Sequence, residues 1–330
     1  PVLSTYKTRY CNPFIFFKLK KIIKKNGSTH LMLIHPYYGW LGILLKIFTK
    51  VKLVINSHNI ESLRFKSMNK SWWKPLWYYE KYIHRNANLN FFITDEDKNY
   101  AIEYFGLNKD KCFTITYGFD FNTPPNSIEK NNAKNELKKI HSISNEDVIL
   151  LFNGTLDYKP NLDAVNHIIN SINPELLQHK NFNYKIIICG KGLPLEYNNL
   201  KDQSNVIYAG FVDDISLYFK GADIFINPVK DGGGIKTKLV EALGNNLYSI
   251  STVEGAIGVP ENITNNKLKI IRDTNWETFA KAIIEADFQK DNINEKFFEY
   301  FSGLERKAAV STGGQQAPAA PRCPSFTLMR

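Results

Sequence analysis

Cysteine is scarce in this chain. Only four occur in 330 residues, Cys11, Cys112, Cys189 and Cys323, and they stand too far apart to form a CxxC pair. That spacing excludes a zinc knuckle and a dense disulfide framework, and it fits a reducing compartment. Long apolar runs are missing as well. No stretch reaches the ~18 residues that a membrane-spanning helix needs; the nearest, "YYGWLGILLKIF", is interrupted by Lys46 and reads as a buried helix. No charged segment followed by an apolar one marks a secretory leader after Pro1, so a cytoplasmic setting is expected, in a chain that looks like a fragment. Two further absences narrow the chemistry. A GxGxxG fingerprint with a downstream acid is lacking, so no NAD site is read. A DxD pair in a polar strand-end loop is lacking too, and "VDD" at Asp213 and Asp214 precedes a helix, where acids favour the N-terminus. No metal site and no required cation are expected.

What is present is an ordinary soluble composition, 43% hydrophobic and 22% charged, over a length that suits two cores. The formal charge of +10 suits an anionic partner: a phosphate-bearing ligand, an anionic membrane face or nucleic acid. Charge alone does not choose among them.

Seven apolar runs, "HLMLIH", "KLVINS", "NLNFFIT", "VILLFNG", "YKIIICG", "NVIYAG" and "DIFINP", read as buried parallel strands with amphipathic helices between most of them. The alternation predicts a doubly wound α/β fold whose ligands sit beyond the carboxyl ends of the strands. The pattern pauses at "YGFDFNTPPNSIEKNNAKNELKKIHSISNED", rich in Asn and mixed charge. The expected organisation is therefore a first domain over residues 1–120, a linker over 121–146, a second domain over 147–300 and a disordered, foreign-looking tail over 301–330, where Gly, Pro, Ala and Gln dominate.

Gly232, Gly233 and Gly234 lie between the strand "DIFINP" and a helix in which Ile235, Leu239, Ala242 and Leu243 recur at helical spacing. The first N–H groups of a helix lack internal partners and carry roughly +0.5 of a charge, and glycine lets an anion approach closely, so the corner can seat a diphosphate. A tight turn without a ligand is the plain alternative. Lys236 and Lys238 stand where cations oppose the macrodipole, which a bound anion explains better than helix stability does.

The whole segment "DGGGIKTKLVEALGNNLYSISTVEGAIGV" resembles the donor-nucleotide motif of retaining glycosyltransferases of family 4. The resemblance implies a GT-B architecture, two Rossmann-like domains facing a cleft, with the second domain holding a nucleotide-diphosphate sugar. It assigns Gly233, Gly234 and Ile235 to the phosphates and Glu241 to the ribose hydroxyls. Relatives often carry an acid eight positions before that glutamate, where this chain has Gly233; Asp231 is the nearest acid and the candidate for the sugar hydroxyls. In "LFNGTLDYKPNLDAV" the resemblance gives Gly154 and Lys159 to the diphosphate, although Thr155 replaces the usual arginine. Gly190 and Gly192 in "IIICGKGLP", with Gly210 and Phe211 in "VIYAGFVDD", are placed near the nucleotide base. "KLVINSHNIESLRF" resembles the histidine-bearing loop that faces the donor sugar, with His58 as the candidate and Asn59, Glu61 and Arg64 beside it. The resemblance covers residues 30–290 and lacks the opening strand and glycine loop of the first domain, which is expected to be incomplete.

Two segments have readings of their own. Thr94 followed by Asp97 in "ITDEDKNYAIEYFG" is a variant capping box, sufficient to start a helix. "FIFFKLKKIIKK", residues 14–25, puts Ile15, Leu19, Ile22 and Ile23 on one helical face and Lys18, Lys21 and Lys25 on another. It reads as an outer helix with lysines in water, or as a basic helix lying on anionic lipid, and the aromatic and basic "SWWKPLWYYEKY" suits an interface too.

The function implied by the resemblance is a metal-independent retaining hexosyltransferase of cell-envelope polysaccharide assembly. It moves a sugar from a UDP- or GDP-sugar donor, with no other cofactor, to a hydroxyl of a glycan or lipid-linked acceptor. His58 and Asp231 are the residues expected at the reacting sugar. The expected location is cytoplasmic, with the inner face of a membrane as an option, and no nucleic acid is expected as a partner. A GT-B sugar-nucleotide epimerase or hydrolase, and a non-catalytic basic module for lipid or nucleic acid, are the competing readings.

Overall fold

Runs rich in Ile, Val, Leu and Phe that stop at glycine or polar turns become, in this computed structural model, the strands of two separate parallel sheets. The structure describes residues 12–119, 121, 123–195, 197, 203–273, 275–288, 295–302 and 326–329. By its contacts the chain divides into two units. The first takes in the described residues up to Thr116, residues 233–235 and the strand at 326–329; the second takes in the described residues of 117–232 and 236–302.

The first unit runs α1 (Phe14–Asn26), β1 (His30–Ile34), α2 (Gly39–Thr49), β2 (Lys52–Ser57), α3 (Glu61–Ser67), α4 (Trp73–Asn86), β3 (Leu89–Phe92), α5 (Asp95–Phe105) and β4 (Cys112–Thr114). Its strands lie side by side in chain order, with Ile34 level with Asn56 and Ser57 level with Phe92. On one face Leu31, Leu33, Leu53 and Ile55 meet Leu41 and Leu45 of α2, Ile83 of α4 and Leu19 and Ile23 of α1. Helix α2 comes close because Gly42 faces the sheet, where a Cβ would stand 2.7 Å from Leu33 and 2.8 Å from Leu53. Thr94 caps α5, accepting from the Asp97 N–H at 3.1 Å as its spacing predicts. The run read as a buried helix is corrected: Leu41, Gly42 and Leu45 are buried in α2, while Leu44, Ile47 and Phe48 are exposed. A helix lying on a sheet turns only one stripe to it, whatever the other residues are.

The second unit runs α6 (Ser127–His141), β5 (Val148–Asn153), α7 (Lys159–His167), α8 (Asn173–Leu177), β6 (Tyr184–Cys189), β7 (Val206–Gly210), α9 (Ile215–Gly221), β8 (Ile224–Asn227), α10 (Thr237–Gly244), β9 (Tyr248–Thr252), β10 (Leu268–Ile271), α11 (Trp276–Ile284) and α12 (Glu295–Ser302). Its sheet has the order β10-β9-β8-β5-β6-β7, every pair parallel. The direction of winding reverses between β5 and β8, the switch point at which loops diverge and ligands bind in open α/β sheets. Leu150, Phe152, Ile186, Ile188, Ile224 and Ile226 from the central strands pack with Ile168 and Phe279 from the helices.

Three expectations about organisation change. Residues 121–146 are no linker: α6 occupies most of them, with Asn126 and Glu129 forming a reciprocal capping box. Ala133 and Leu137 of α6 pack on Gly221 of α9, and Lys134 pairs with Asp223 at 2.6 Å. The many asparagines and lysines lie on the outside and mask that narrow apolar stripe. By its contacts the second unit takes in this stretch from Tyr117 onward. The tail also begins later than 301, because α12 runs to Ser302 with Phe297 and Phe301 buried. Within the rest of that tail, Phe326–Met329 forms β11, parallel to β1 with Phe326 level with His30; the edge of β1 offers unpaired backbone groups to any extended segment. Residues 303–325 and 330 lie outside the described residues.

Candidate functional site

The glycine corner follows β8. The end of that strand is clamped to β9 and the turn beyond it: Asn227 Nδ2 donates to Ser251 Oγ and to the Gly255 carbonyl, both at 3.0 Å. Thr252 Oγ1 donates to the Val229 carbonyl and accepts from the Gly255 N–H. From this fixed base the chain turns through Gly232 at φ +95° and Gly234 at φ +71°, left-handed values that favour glycine. Gly233 and Gly234 belong by their contacts to the first unit, where a Cβ on Gly234 would stand 2.9 Å from the His58 carbonyl and one on Gly233 3.4 Å from Arg64. Gly232 and Gly234 thus serve backbone conformation, and Gly234 also serves close approach, while Ile235 is half-buried beside them.

Helix α10 starts at Lys236 as its N-cap, whose side chain does not cap it; the ammonium bonds back to the Gly232 carbonyl at 2.8 Å. Lys238 is buried, with Nζ donating to the Asn153 carbonyl at 3.0 Å and Asn161 Oδ1 at 2.7 Å over the face of Phe152. Burial, and then the charge of Lys236, push its pKa down to about 7. Its presence is thus accounted for inside the protein, tying α10 to the end of β5 and the start of α7. Glu241 is half-buried, and its Oε1 accepts from the Tyr117 hydroxyl at 2.7 Å. Burial raises the Glu241 pKa, with that hydrogen bond opposing the rise.

The ends of β5 and β6 meet nearby. Gly190 has φ +144°, and a Cβ there would lie 1.8 Å from the Gly154 carbonyl oxygen, so two backbones touch where glycine alone fits. Gly192, at φ +86°, stands against Asp157. The Gly190 N–H donates to the Gly210 carbonyl at 2.7 Å and its own carbonyl accepts from Tyr208, which joins the third loop. Gly210 has open space around it, and Phe211 is exposed. Lys159, at the first turn of α7, is exposed and paired with Asp163 at 2.5 Å. Asp231, also exposed, acts electrostatically on both Lys159 and His167.

In the first unit His58 follows β2 and His35 follows β1, their ring centroids 4.8 Å apart. His35 is held at φ +63° and ψ 159°, a costly conformation for a residue with a Cβ. Buried Glu61 organises this end of the sheet. Its Oε2 accepts from Tyr37 at 2.6 Å and from Arg64 Nε and Nη2 at 3.0 and 2.5 Å, and His35 Nδ1 lies 3.3 Å from Oε1. Burial lowers the pKa of both histidines, and the carboxylate of Glu61 pulls each back up. Glu80 of α4 accepts the N–H groups of Glu61 and Ser62 at 2.9 and 2.8 Å and so anchors α3; burial raises its pKa to about 7 against those hydrogen bonds.

The structure therefore gathers the expected Gly154, Gly190, Gly210, Lys159, Asp231, Lys238 and Glu241 at strand ends and the starts of α7 and α10 in the second unit. It places His58 with Gly233 and Gly234 in the first. Tyr117, Asn161, His35, Tyr37 and Glu80 are additions. Among the described residues, no group of three His, Cys, Asp or Glu side chains is arranged to hold a metal ion. Cys112 and Cys189 are free and buried, and burial pushes the Cys189 thiol up to about 12. No helix among the described residues is long and apolar enough to cross a membrane.

Comparison with known proteins adds the following. Residues 1–123 match the family model described as Glycosyltransferase Family 4, and residues 147–286 match the one described as Glycosyl transferases group 1. A chitobiosyldiphosphodolichol beta-mannosyltransferase of Candida albicans is 27% identical over 54% of this chain and 43% of its own length. An uncharacterized 44.6 kDa protein in the cps region of Klebsiella pneumoniae is 24% identical over 76% of this chain and 64% of its own. The chain thus spans 43% to 64% of the length of these curated relatives. Among solved structures, a glycosyltransferase of Rickettsia africae superposes with TM-score 0.66 at 15% identity, over 91% of this chain and 81% of that one. Anabaena HepE, in complex with UDP and glucose, gives TM-score 0.64 at 16% identity over 94% and 84%. Likeness at that identity concerns the fold.

Proposed function

The chain belongs to the family 4 glycosyltransferases of GT-B fold, and from that membership we propose that it transfers a hexosyl group from a nucleotide-diphosphate sugar to a hydroxyl of a glycan or lipid-linked acceptor. The observation that carries the reading is the turn at Gly232–Gly234 leading into a helix on which Glu241, held by Tyr117, stands half-buried about two turns from the corner. In this reading the backbone around residues 233–235 seats the diphosphate, and Glu241 accepts hydrogen bonds from the ribose hydroxyls. As the glycosidic bond breaks, negative charge grows on the departing diphosphate. Fixed amides, with Lys159 released from Asp163, then bind the transition state better than the ground state. Asp231 is assigned to the hydroxyls of the donor sugar, and His58 stays a separate candidate in the first unit.

UDP complexes of the structural neighbour HepE support a nucleotide sugar as donor, and the choice between UDP and GDP is for the assay. The name of the Candida relative includes a sugar joined through diphosphate to a lipid, which supports a lipid-linked acceptor. Retention of configuration is part of the proposal, on the motif resemblance alone; because that relative is a beta-transferase, the anomeric signals of the first product by NMR are the direct check.

The test of the donor site is a thermal-shift screen of the chain against UDP- and GDP-sugars. A ligand at ~100 times its dissociation constant stabilises by about 2.7 kcal/mol. Glu241→Ala is expected to erase the shift for the true donor. Tyr117→Phe, which removes a hydrogen bond to a carboxylate, is expected to weaken binding by roughly 10- to 100-fold. A shift that survives in both variants refutes the placement of the nucleotide.

A further inference from the structure

The outer face of α1 and α2 has no role in the proposed transfer, yet it has the most one-sided chemistry of the chain. The first 60 residues contain ten Lys and Arg and no Asp or Glu, so the entire formal charge of +10 resides there and the other 270 residues balance. On α1 the exposed Lys18, Lys21, Lys24 and Lys25 share one side with exposed Phe14 and Phe17, because positions three, four and seven apart fall on one helical face. On α2, Ile47 and Phe48 are 64% and 57% exposed. The two helices present one continuous surface: Phe16 stands 5.4 Å from Phe17 and 5.6 Å from Phe48, ring centre to ring centre, and Lys20 Nζ lies 5.7 and 5.3 Å from Phe16 and Phe48.

We propose that this α1–α2 face docks on an anionic lipid bilayer, with Phe14, Phe17, Ile47 and Phe48 entering the headgroup boundary and the lysines of α1 meeting the lipid phosphates. Contiguous apolar surface exposed to water marks an interaction site, and its chemistry selects the partner. A second copy meeting the same face would set lysine against lysine with no acid to offset it. Phe14, Phe17 and Phe48 are also able to stack on bases, so binding to single-stranded RNA without binding to vesicles gives the face to nucleic acid and overturns the proposal. An anionic bilayer satisfies both halves at once, taking the apolar tips into its boundary while the lysine stems lie along them with their charges at the phosphates. The inference goes beyond the transfer reaction and is measured without any nucleotide sugar, so the two readings stand or fall separately.

The experiment is co-sedimentation of the full chain with vesicles of phosphatidylcholine, alone or mixed with phosphatidylglycerol, at low and high salt. Binding is expected to the mixed vesicles, weakened by salt. Lys21→Glu together with Lys25→Glu is expected to lower the partition coefficient by at least ~25-fold, about 5-fold for each lysine lost. Phe17→Ser with Phe48→Ser is expected to abolish the part of the binding that survives high salt, with an unchanged far-UV spectrum. If that pair disturbs folding, Phe14→Ser at the exposed start of α1 replaces it. Absent binding, equal binding to pure phosphatidylcholine, or binding that neither variant changes overturns the proposal. Self-association abolished by the phenylalanine variants gives the face to a second copy and overturns it too.

Discussion

Lys238 allows a quantitative test of how the start of α10 is wired to its neighbours. Its folded pKa is about 7 and its unfolded value 10.5, the depression arising first from burial and then from Lys236. Between those values the unfolded chain carries a proton that the folded chain does not, so stability rises with pH, by about 1.4 kcal/mol per pH unit. Below the folded pKa both states are protonated and the burial penalty is present in full; above the unfolded pKa it has vanished. From about pH 7, where the folded group is half-titrated, to about pH 9 the gain is about 2 kcal/mol. Lys238→Met keeps a chain of similar length over Phe152 and removes the titration. The prediction is therefore a double difference: urea denaturation of both proteins at each pH should show the native protein gaining about 2 kcal/mol on the variant across that interval. Loss of the hydrogen bonds to Asn153 and Asn161 shifts both points alike and cancels. A flat difference would refute the depressed pKa, and a difference of opposite sign would mean that the site stabilises the ammonium.

Two further variants address the frame of the second unit. Gly190→Ala drives a methyl into the Gly154 carbonyl and should cost more than ~3 kcal/mol, a melting temperature lower by roughly 6–12 °C, whereas Gly210→Ala, with φ +71° but open space, should cost only ~1–2 kcal/mol. Similar melting points for the two would refute the close backbone approach. Asn126→Ala removes the cap of α6 and should lower the melting temperature by about 2–4 °C through a loss of ~1 kcal/mol; an unchanged melt would mean that the capping box is idle.

The strands that form the middle of each sheet were legible because they are buried on both faces, so "KLVINS" keeps an unbroken apolar centre at Leu53, Val54 and Ile55 and "VILLFNG" one from Val148 to Phe152. Strands β4, β9, β10 and β11 escaped. "CFT" is only three residues, and "YSIST" mixes serines that hydrogen-bond inside the core at Ser249 and Ser251, so neither looks apolar in sequence. Composition misjudged α6 for the opposite reason: its surface is so polar that Ala133 and Leu137 alone mark the buried side, although Asn126 and Glu129 already stood at capping-box spacing. At the site, glycines were readable from their place after strands, and Glu241 from its motif. Tyr117 was not, since it meets Glu241 from 124 positions away, and no local pattern encodes such a contact. The burial of Lys238 was not readable either, because sequence shows charge and not burial; its ammonium meets two carbonyl oxygens and a ring.

The switch between β5 and β8 also sets a timetable for biosynthesis. Strand β5 gains one neighbour, β6, within about forty residues, but its other flank waits for β8, where Leu150 pairs with Ile224. At a ribosomal pace of roughly 5–20 residues per second, that flank stays unpaired for several seconds while the intervening chain is made. During that interval "VILLFN" is an aliphatic edge without a gatekeeping charge. The exposure ends when β8 is made and Ile224 takes its place beside Leu150.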